Sequence, residues 1–327
     1  MTPSETSEPS PQPESEPTSG PAASPSRMHT ILLGPNGLRA GWSILLFIAI
    51  FIAIAIPASF VLSHILAHFH HAMPRRQTGE VPPLPVALSE AVMLMAVFLA
   101  TAIMAGIERR PMLAYGLSGT HRLRHFIIGL LSGFGFLSLL IGILVITHHL
   151  RLDRPTLATA ALWKYAAAWG CMFLLVGFFE ELLLRGYMLI TLARGIRFWP
   201  AAILLAVLFG TLHKGNPGES PLGLATAAGA AIVFSLSLWR LGSLWWAIGF
   251  HTAWDWAQSY FYGTADSGLL SRGHLMTAHP VGSVWFSGGA TGPEGSVWCG
   301  LILILVAVFI VLTQHKKPWQ SQRNSSQ

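Results

Sequence analysis

The feature that most constrains this chain is a series of apolar runs, most of them long enough to cross a lipid bilayer. About 20 consecutive apolar residues form a helix that spans the hydrocarbon core. Along the 327 residues, hydrophobic segments cover about 42–66, 85–107, 125–147, 165–192, 200–213, 222–239, 242–262 and 298–313. In lipid every backbone N–H and C=O needs a partner within the protein, and a helix supplies one for each. The pattern therefore predicts an all-α integral membrane protein, a bundle of about eight transmembrane helices joined by short loops. Composition agrees, since only 10% of residues are charged and 52% are hydrophobic, against about 25% charged in a soluble domain. The net charge of +6 would suggest nucleic acid in a soluble protein. Here Lys and Arg lie mostly between the apolar segments, as orientation signals do, so the lipid bilayer is the expected partner and nucleic acid is not.

The ends of the chain are a different material. Residues 1–26 hold seven Pro, seven Ser and four Glu, with no aromatic or branched aliphatic residue. Such a stretch cannot bury enough surface to fold, so 1–30 are expected to be a disordered tail. It lacks the basic and apolar regions of a signal peptide. Residues 31–316 form the polytopic membrane domain, and 317–327 a polar cytoplasmic tail. Cys171 and Cys299 sit in apolar stretches and form no metal or redox motif. With the N-terminus inside, twelve Lys and Arg fall on the cytoplasmic side and seven on the other, which places both termini in the cytoplasm. Segments five to seven are rich in Gly, Ala and Ser, small residues that let membrane helices approach closely, and should be the packed centre. The Gly-rich connection 263–297 reads as loop, with His274 and His279 in no ligand-like spacing.

Ionisable side chains inside a membrane helix are costly and mark function by default. Segment four, GFFEELLLRGYML, carries Glu180, Glu181 and Arg185. Segment five, LLAVLFGTLHKGN, ends on His213. Segment seven, WWAIGFHTAWDWAQSY, carries His251 and Asp255, four residues apart on one helical face. At about 1.5 Å per residue, Glu180, His213, His251 and Asp255 lie about 16–22 Å from the side of the turns near Arg194–Pro200 and Arg240. Three helices thus deliver polar groups to one layer. Glu181 and Arg185, spaced i, i+4, can form an ion pair that neutralises both charges. Glu180 remains as the unpaired carboxylate, suited to take a proton from water. His213 can share that water or deliver a proton. His251 and Asp255 can donate hydrogen bonds, bind a metal or stabilise a developing oxyanion. Glu180, His213 and His251 are also a donor set for a divalent metal such as zinc, although no His-Glu-x-x-His is present.

The order Glu-Glu-x-x-x-Arg, Phe-x-x-x-His, His-x-x-x-Asp, carried here by Glu180–Arg185, Phe209–His213 and His251–Asp255, resembles the CPBP family of CAAX-processing and bacteriocin-processing proteases, also called Abi. The resemblance covers about 170–262. It implies an eight-helix fold with a cavity open toward the cytoplasm and endopeptidase activity on a peptide or protein substrate. It also implies that Glu180 and His213 activate water while His251 and the fourth position stabilise the oxyanion. That position is often Asn in the family and is Asp255 here. The family is commonly labelled metalloprotease, and a metal-free, glutamate-based mechanism fits the residues equally well. The Gly116-Leu117-Ser118-Gly119 stretch, which matches a rhomboid-type serine motif, lies in a polar loop and reads as a turn. The competing reading is a non-catalytic scaffold, immunity protein or transporter that keeps the polar cluster. A transporter would more naturally show broken helices or repeated halves.

Overall fold

The structure is a computed structural model that describes residues 32–34, 37–70, 80–155 and 157–314; the stretches 1–30 and 317–327 lie outside the described residues. Its helices follow the apolar runs: α1 Ala40–His70, α2 Pro83–Ile107, α3 Arg122–Ile146, α4 Thr159–Ile196, α5 Phe198–Leu212, α6 Pro221–Leu241, α7 Trp245–Trp256 and α8 Val297–Thr313. The first six are long and apolar enough to cross a membrane. α5 reaches spanning length through one further turn to Gly215, whereas α7 and α8 are shorter at 12 and 17 residues, so the expected eight spans resolve into six of full length and two shorter helices. α1 continues through Pro57, whose missing N–H a membrane helix tolerates. Rows of large apolar side chains such as Ile56 and Phe60 of α1 and Ile203 and Val207 of α5 face outward. In water this would be a liability, but against lipid it is the surface a membrane bundle needs.

Two faces can be defined by contacts between loops. On the first, the start of α1 meets the α4–α5 turn, where a side-chain carbon on Gly195 would touch Ala40. There the α6–α7 turn bonds the loop after α2, Leu244 N to Gly116 O at 2.9 Å. Arg240 donates to the backbone of Gln314 just past α8 at 3.2 Å. On the second face, strand Leu150–Leu152 pairs antiparallel with Ala278–Pro280, and Val81 bridges to Ser271. The connections before α2, after α3 and after α7 are therefore one folded layer. The 263–297 stretch that reads as loop in the sequence is in fact an ordered cover. Its glycines are required at defined points: Gly268 and Gly292 have positive φ, and a side chain on either would strike the carbonyl oxygen of Pro217 or Ala265, a geometry open to glycine alone.

The packed centre is α7, buried at every position from Trp246 to Asp255. It lies against α3 through glycines on both helices. A side chain on Gly249 would collide with the Phe126 carbonyl, and one on Gly129 or Gly133 with the backbone of Trp246 or Phe250. Small residues do set the closest approach, as expected, but α3 supplies two of these three glycines, while α5 keeps one side outward. α4 changes to π-helical i→i+5 bonding over Glu181–Met188, and α7 does so over Ala257–Phe261. Such segments recur at functional sites because they re-aim side chains within a continuous helix. Both begin within two residues of a motif carboxylate.

Candidate active site

A cavity of about 220 Å³ lies between α2, α4, α5, α6, α7 and α8 under the folded cover. It is widest in apolar side chains such as Trp169, Phe173 and Phe234, and its polar lining includes Glu180, His213, His251 and Asp255. Four of the six motif residues are thus in one space, and the other two lie just behind it.

Glu180 ends the regular part of α4 with its side chain 23% exposed, whereas Glu181 is fully buried. The difference follows from adjacent positions facing different sides of a helix. Glu181 accepts from Arg185 Nη1 at 3.0 Å across one turn, and the guanidinium lies over the Phe209 ring at 4.6 Å. The ion pair expected from the sequence is present, and an aromatic face adds to the neutralisation. Glu181 also reaches His251 Nδ1 at 3.3 Å. Since a carboxylate only accepts, Nδ1 carries the proton in that bond. The other ring nitrogen, Nε2, is left toward the cavity, 3.6 Å from Glu180 and 3.4 Å from Asp255. Phe234 stacks on the imidazole with ring centres 5.3 Å apart and fixes its plane. Arg185, Glu181 and His251 therefore form a relay of fixed orientation that ends on a nitrogen presented to Glu180.

His213 caps the end of α5 and donates Nδ1–H to Phe209 O at 2.8 Å. A carbonyl oxygen accepts only, which leaves Nε2 as the free acceptor. Among the described residues no hydrogen bond or ion pair joins His213 to Glu180, His251 or Asp255. His251 is the imidazole that faces Glu180, where the sequence reading paired Glu180 with His213.

The donor set proposed for a metal can be tested by the same geometry. Three protein ligands must converge on one point in a catalytic zinc site. Glu180 and His251 converge, but among the described residues His213 has no hydrogen bond or ion pair with either and does not group with them within ligand reach, so the trio Glu180, His213 and His251 does not fit a preformed metal centre. Among the described residues, ligand atoms within 4.8 Å of one another come from Asp255, Asp266 and Glu294.

Glu90, Asp266 and Glu294 are lining residues that the sequence reading missed. Glu90 stands in α2, where the rule that singled out Glu180 applies to it equally; it is seven residues from the helix start and reads as interfacial. Asp266 and Glu294 lie in the cover, and only its folding brings them inward. Trp254 Nε1 donates to Glu294 at 3.1 Å, Ser267 donates to its other oxygen at 3.2 Å, and Ser259 donates to Asp266 at 3.0 Å. Burial, reinforced by Asp255 and Glu294, holds the Asp266 carboxyl well above the usual range.

The cavity is lined from its mid-depth layer to the second face, by Asn216, Ser267 and Ser271 among others. It lies away from the face that holds the start of α1 and the end of α8. The Gly116–Gly119 stretch is the expected turn, with positive φ at both glycines, and lies on the first face away from the cavity.

These features define an integral membrane protein with a polar cavity inside a helical bundle. Residues 161–257, from the start of α4 to the end of α7, match the family model described as type II CAAX prenyl endopeptidase Rce1-like. The match falls on the helices that carry every motif residue, in keeping with the CPBP resemblance. It implies a protease acting on a peptide or protein substrate in a membrane setting. Neither a curated protein nor a solved structure matches the chain.

Proposed function

We propose that the chain is an intramembrane endopeptidase that hydrolyses a peptide bond with water activated by Glu180. The observation that carries this reading is the 3.6 Å approach of His251 Nε2 to Glu180 on the wall of an apolar cavity. Of the two adjacent motif carboxylates of α4, Glu180 is the one that faces the cavity, and Glu181 is the one paired with Arg185. A substrate carbonyl placed beside it is attacked by water as Glu180 takes one of the water protons. The C–O bond forms, the carbonyl π electrons move to oxygen, and the resulting oxyanion lies near His251 and Asp255. With Nδ1–H held by Glu181, a second proton on Nε2 makes the His251 ring the donor that stabilises this charge as it develops, and an enclosed apolar site strengthens that effect. Glu180 then returns its proton to the amide nitrogen as the C–N bond breaks, yielding a carboxylic acid and an amine.

Glu181 and Arg185 act through His251, whose tautomer and ring orientation they fix. His213 lines the same cavity with a free Nε2 and orients the water. Hydrolysis by this route needs no metal step. The test is cleavage of a synthetic peptide library by the detergent-purified chain beside Glu180→Gln. Glutamine keeps the shape but cannot take the proton, so product should fall by at least about 100-fold. Equal cleavage by both proteins contradicts the mechanism.

A further inference from the structure

One stretch of the cover turns its side chains outward. It runs from Val281 to Phe286, just after the strand Ala278–Pro280, and Val284, Trp285 and Phe286 are 63%, 60% and 41% exposed. Val284–Ser287 form a single helical turn, and Gly288 and Gly289 follow it with positive φ. An uncharged tip with four apolar side chains would be a liability in an aqueous loop. Its position says what it meets. The Phe286 ring lies 5.2 Å from that of His149, just past α3, and 6.4 Å from that of Trp298 in the first turn of α8. The tip therefore sits at the ends of two helices whose exposed apolar side chains, Ile146 on α3 and Val297, Leu301 and Ile304 on α8, face the lipid. It continues that surface. α8 has 17 residues and rises only about 25 Å, whereas the hydrocarbon core is about 30 Å thick. An apolar tip beside its first turn extends a helix too short alone.

We infer that Val281–Phe286 is an interfacial anchor, inserted into the leaflet on the second face at the boundary between lipid headgroups and acyl chains. Tryptophan is favoured at that boundary because its ring is apolar and its N–H seeks a polar partner. Trp163, near the start of α4 on the same face, is exposed as well. The backbone sets the depth. Val281 N–H donates to His149 O, and the N–H groups of Phe286 and Ser287 donate to Ser283 O. Those of Gly282 to Trp285 have no backbone acceptor among the described residues, which excludes dry hydrocarbon and suits the wet headgroup boundary. Arg151 and Arg154, in and just after the strand that pairs with Ala278–Pro280, stand exposed with Asp153 between them. Long basic side chains there reach headgroup phosphates. From the tip the chain runs through Gly288–Gly292 to Glu294, which lines the cavity, so the bilayer fastens one side of the cavity's roof. The anchor holds whatever reaction the cavity carries out.

The test is fluorescence quenching in the full chain with Cys171→Ser, which removes the exposed cysteine and leaves the buried Cys299. One protein carries an NBD fluorophore on Ser283→Cys, with all four apolar side chains of the tip kept. A second carries it on Ile304→Cys, which points outward from α8. Both are reconstituted into phosphatidylcholine vesicles whose lipids bear a nitroxide either near the headgroup or near the acyl-chain end. Iodide on both sides of the membrane is the aqueous quencher. The label at 283 should be quenched several-fold more by the shallow nitroxide than by the deep one, and iodide should reach it poorly. The label at 304 should show the reverse order of the two nitroxides. Val284→Ser combined with Trp285→Ser, at two exposed positions, should raise iodide quenching at 283 several-fold and leave 304 unchanged. Strong iodide quenching at 283 in the parent protein overturns the inference, because the tip is then in water. Quenching by no agent overturns it as well, because protein, such as a second copy of the chain, then covers the tip. So does quenching that is strongest from the deep nitroxide, or that ignores the double substitution.

Discussion

Glu108 and Glu180 are both carboxylates on long apolar helices, one at the end of α2 and one within α4. Glu108 accepts from Tyr115 and Tyr187 at 2.7 Å each and from Arg194 at 2.8 and 3.0 Å. Every acceptor site is used, a cation is paired, and the cavity that holds Glu180 does not reach it. Burial pushes its carboxyl up, but the two tyrosine hydrogen bonds and the Arg194 charge outweigh that and hold it below the usual range. Glu180 has the opposite surroundings: a cavity, an imidazole at 3.6 Å and neighbouring carboxylates with no Lys or Arg among the described lining residues. A satisfied buried network tightens one arrangement of helices. An unsatisfied one at mid-depth leaves binding energy available to whatever enters.

This contrast can be broken by substitutions that act on one side only. The largest effect is expected at Arg185, which serves the seam between the two kinds of site. Arg185→Met leaves Glu181 as a buried carboxylate without a cation and should cost about 3–5 kcal/mol, read as a large fall in melting temperature with loss of cleavage. The double replacement Glu181→Met, Arg185→Met should recover most of the stability and none of the activity.

His213→Ala removes a cavity residue with no hydrogen bond or ion pair to Glu180 among the described residues, so cleavage should drop by about 10- to 100-fold with an unchanged melting temperature. A loss as deep as that of Glu180→Gln would restore the pairing expected from the sequence. Glu108→Gln should cost about 1–3 kcal/mol, because a charge-assisted network loses its anion. Activity per folded molecule should stay at the wild-type level. A smaller effect is expected from acid. A carboxyl held below its ordinary pKa contributes stability that is present above that ordinary value and lost as pH falls through the folded value. Wild type should therefore lose an increment of thermal stability below the usual carboxylate range, and Glu108→Gln should lack that increment.

The fold was legible because a bilayer fixes helix length. Boundaries read from apolarity, such as 85–107 and 298–313, fall within two residues of Pro83–Ile107 and Val297–Thr313. The motif carboxylates and histidines were legible because charge is scarce in such helices. Three things were not. Glu90 sits close enough to a helix end to pass as interfacial. Asp266 and Glu294 enter the cavity only because Gly268 and Gly292 let the cover fold against Pro217 and Ala265, a backbone property that spacing does not carry. Depth along a helix placed His213 and His251 in one layer but could not say which one faces Glu180, since that depends on helix rotation and on the π-helical turn after Glu180.

The central claim is that Glu180 performs chemistry where Glu108 holds structure. It is tested most directly by measuring cleavage per folded molecule and melting temperature for Glu180→Gln and Glu108→Gln in parallel. The expected result is a crossed one: Glu180→Gln loses at least about 100-fold in cleavage with its melting temperature kept, and Glu108→Gln melts several degrees lower with its cleavage kept. If Glu180→Gln instead lowers the melting temperature and leaves cleavage intact, the account is contradicted, and Glu180 is a structural carboxylate like Glu108.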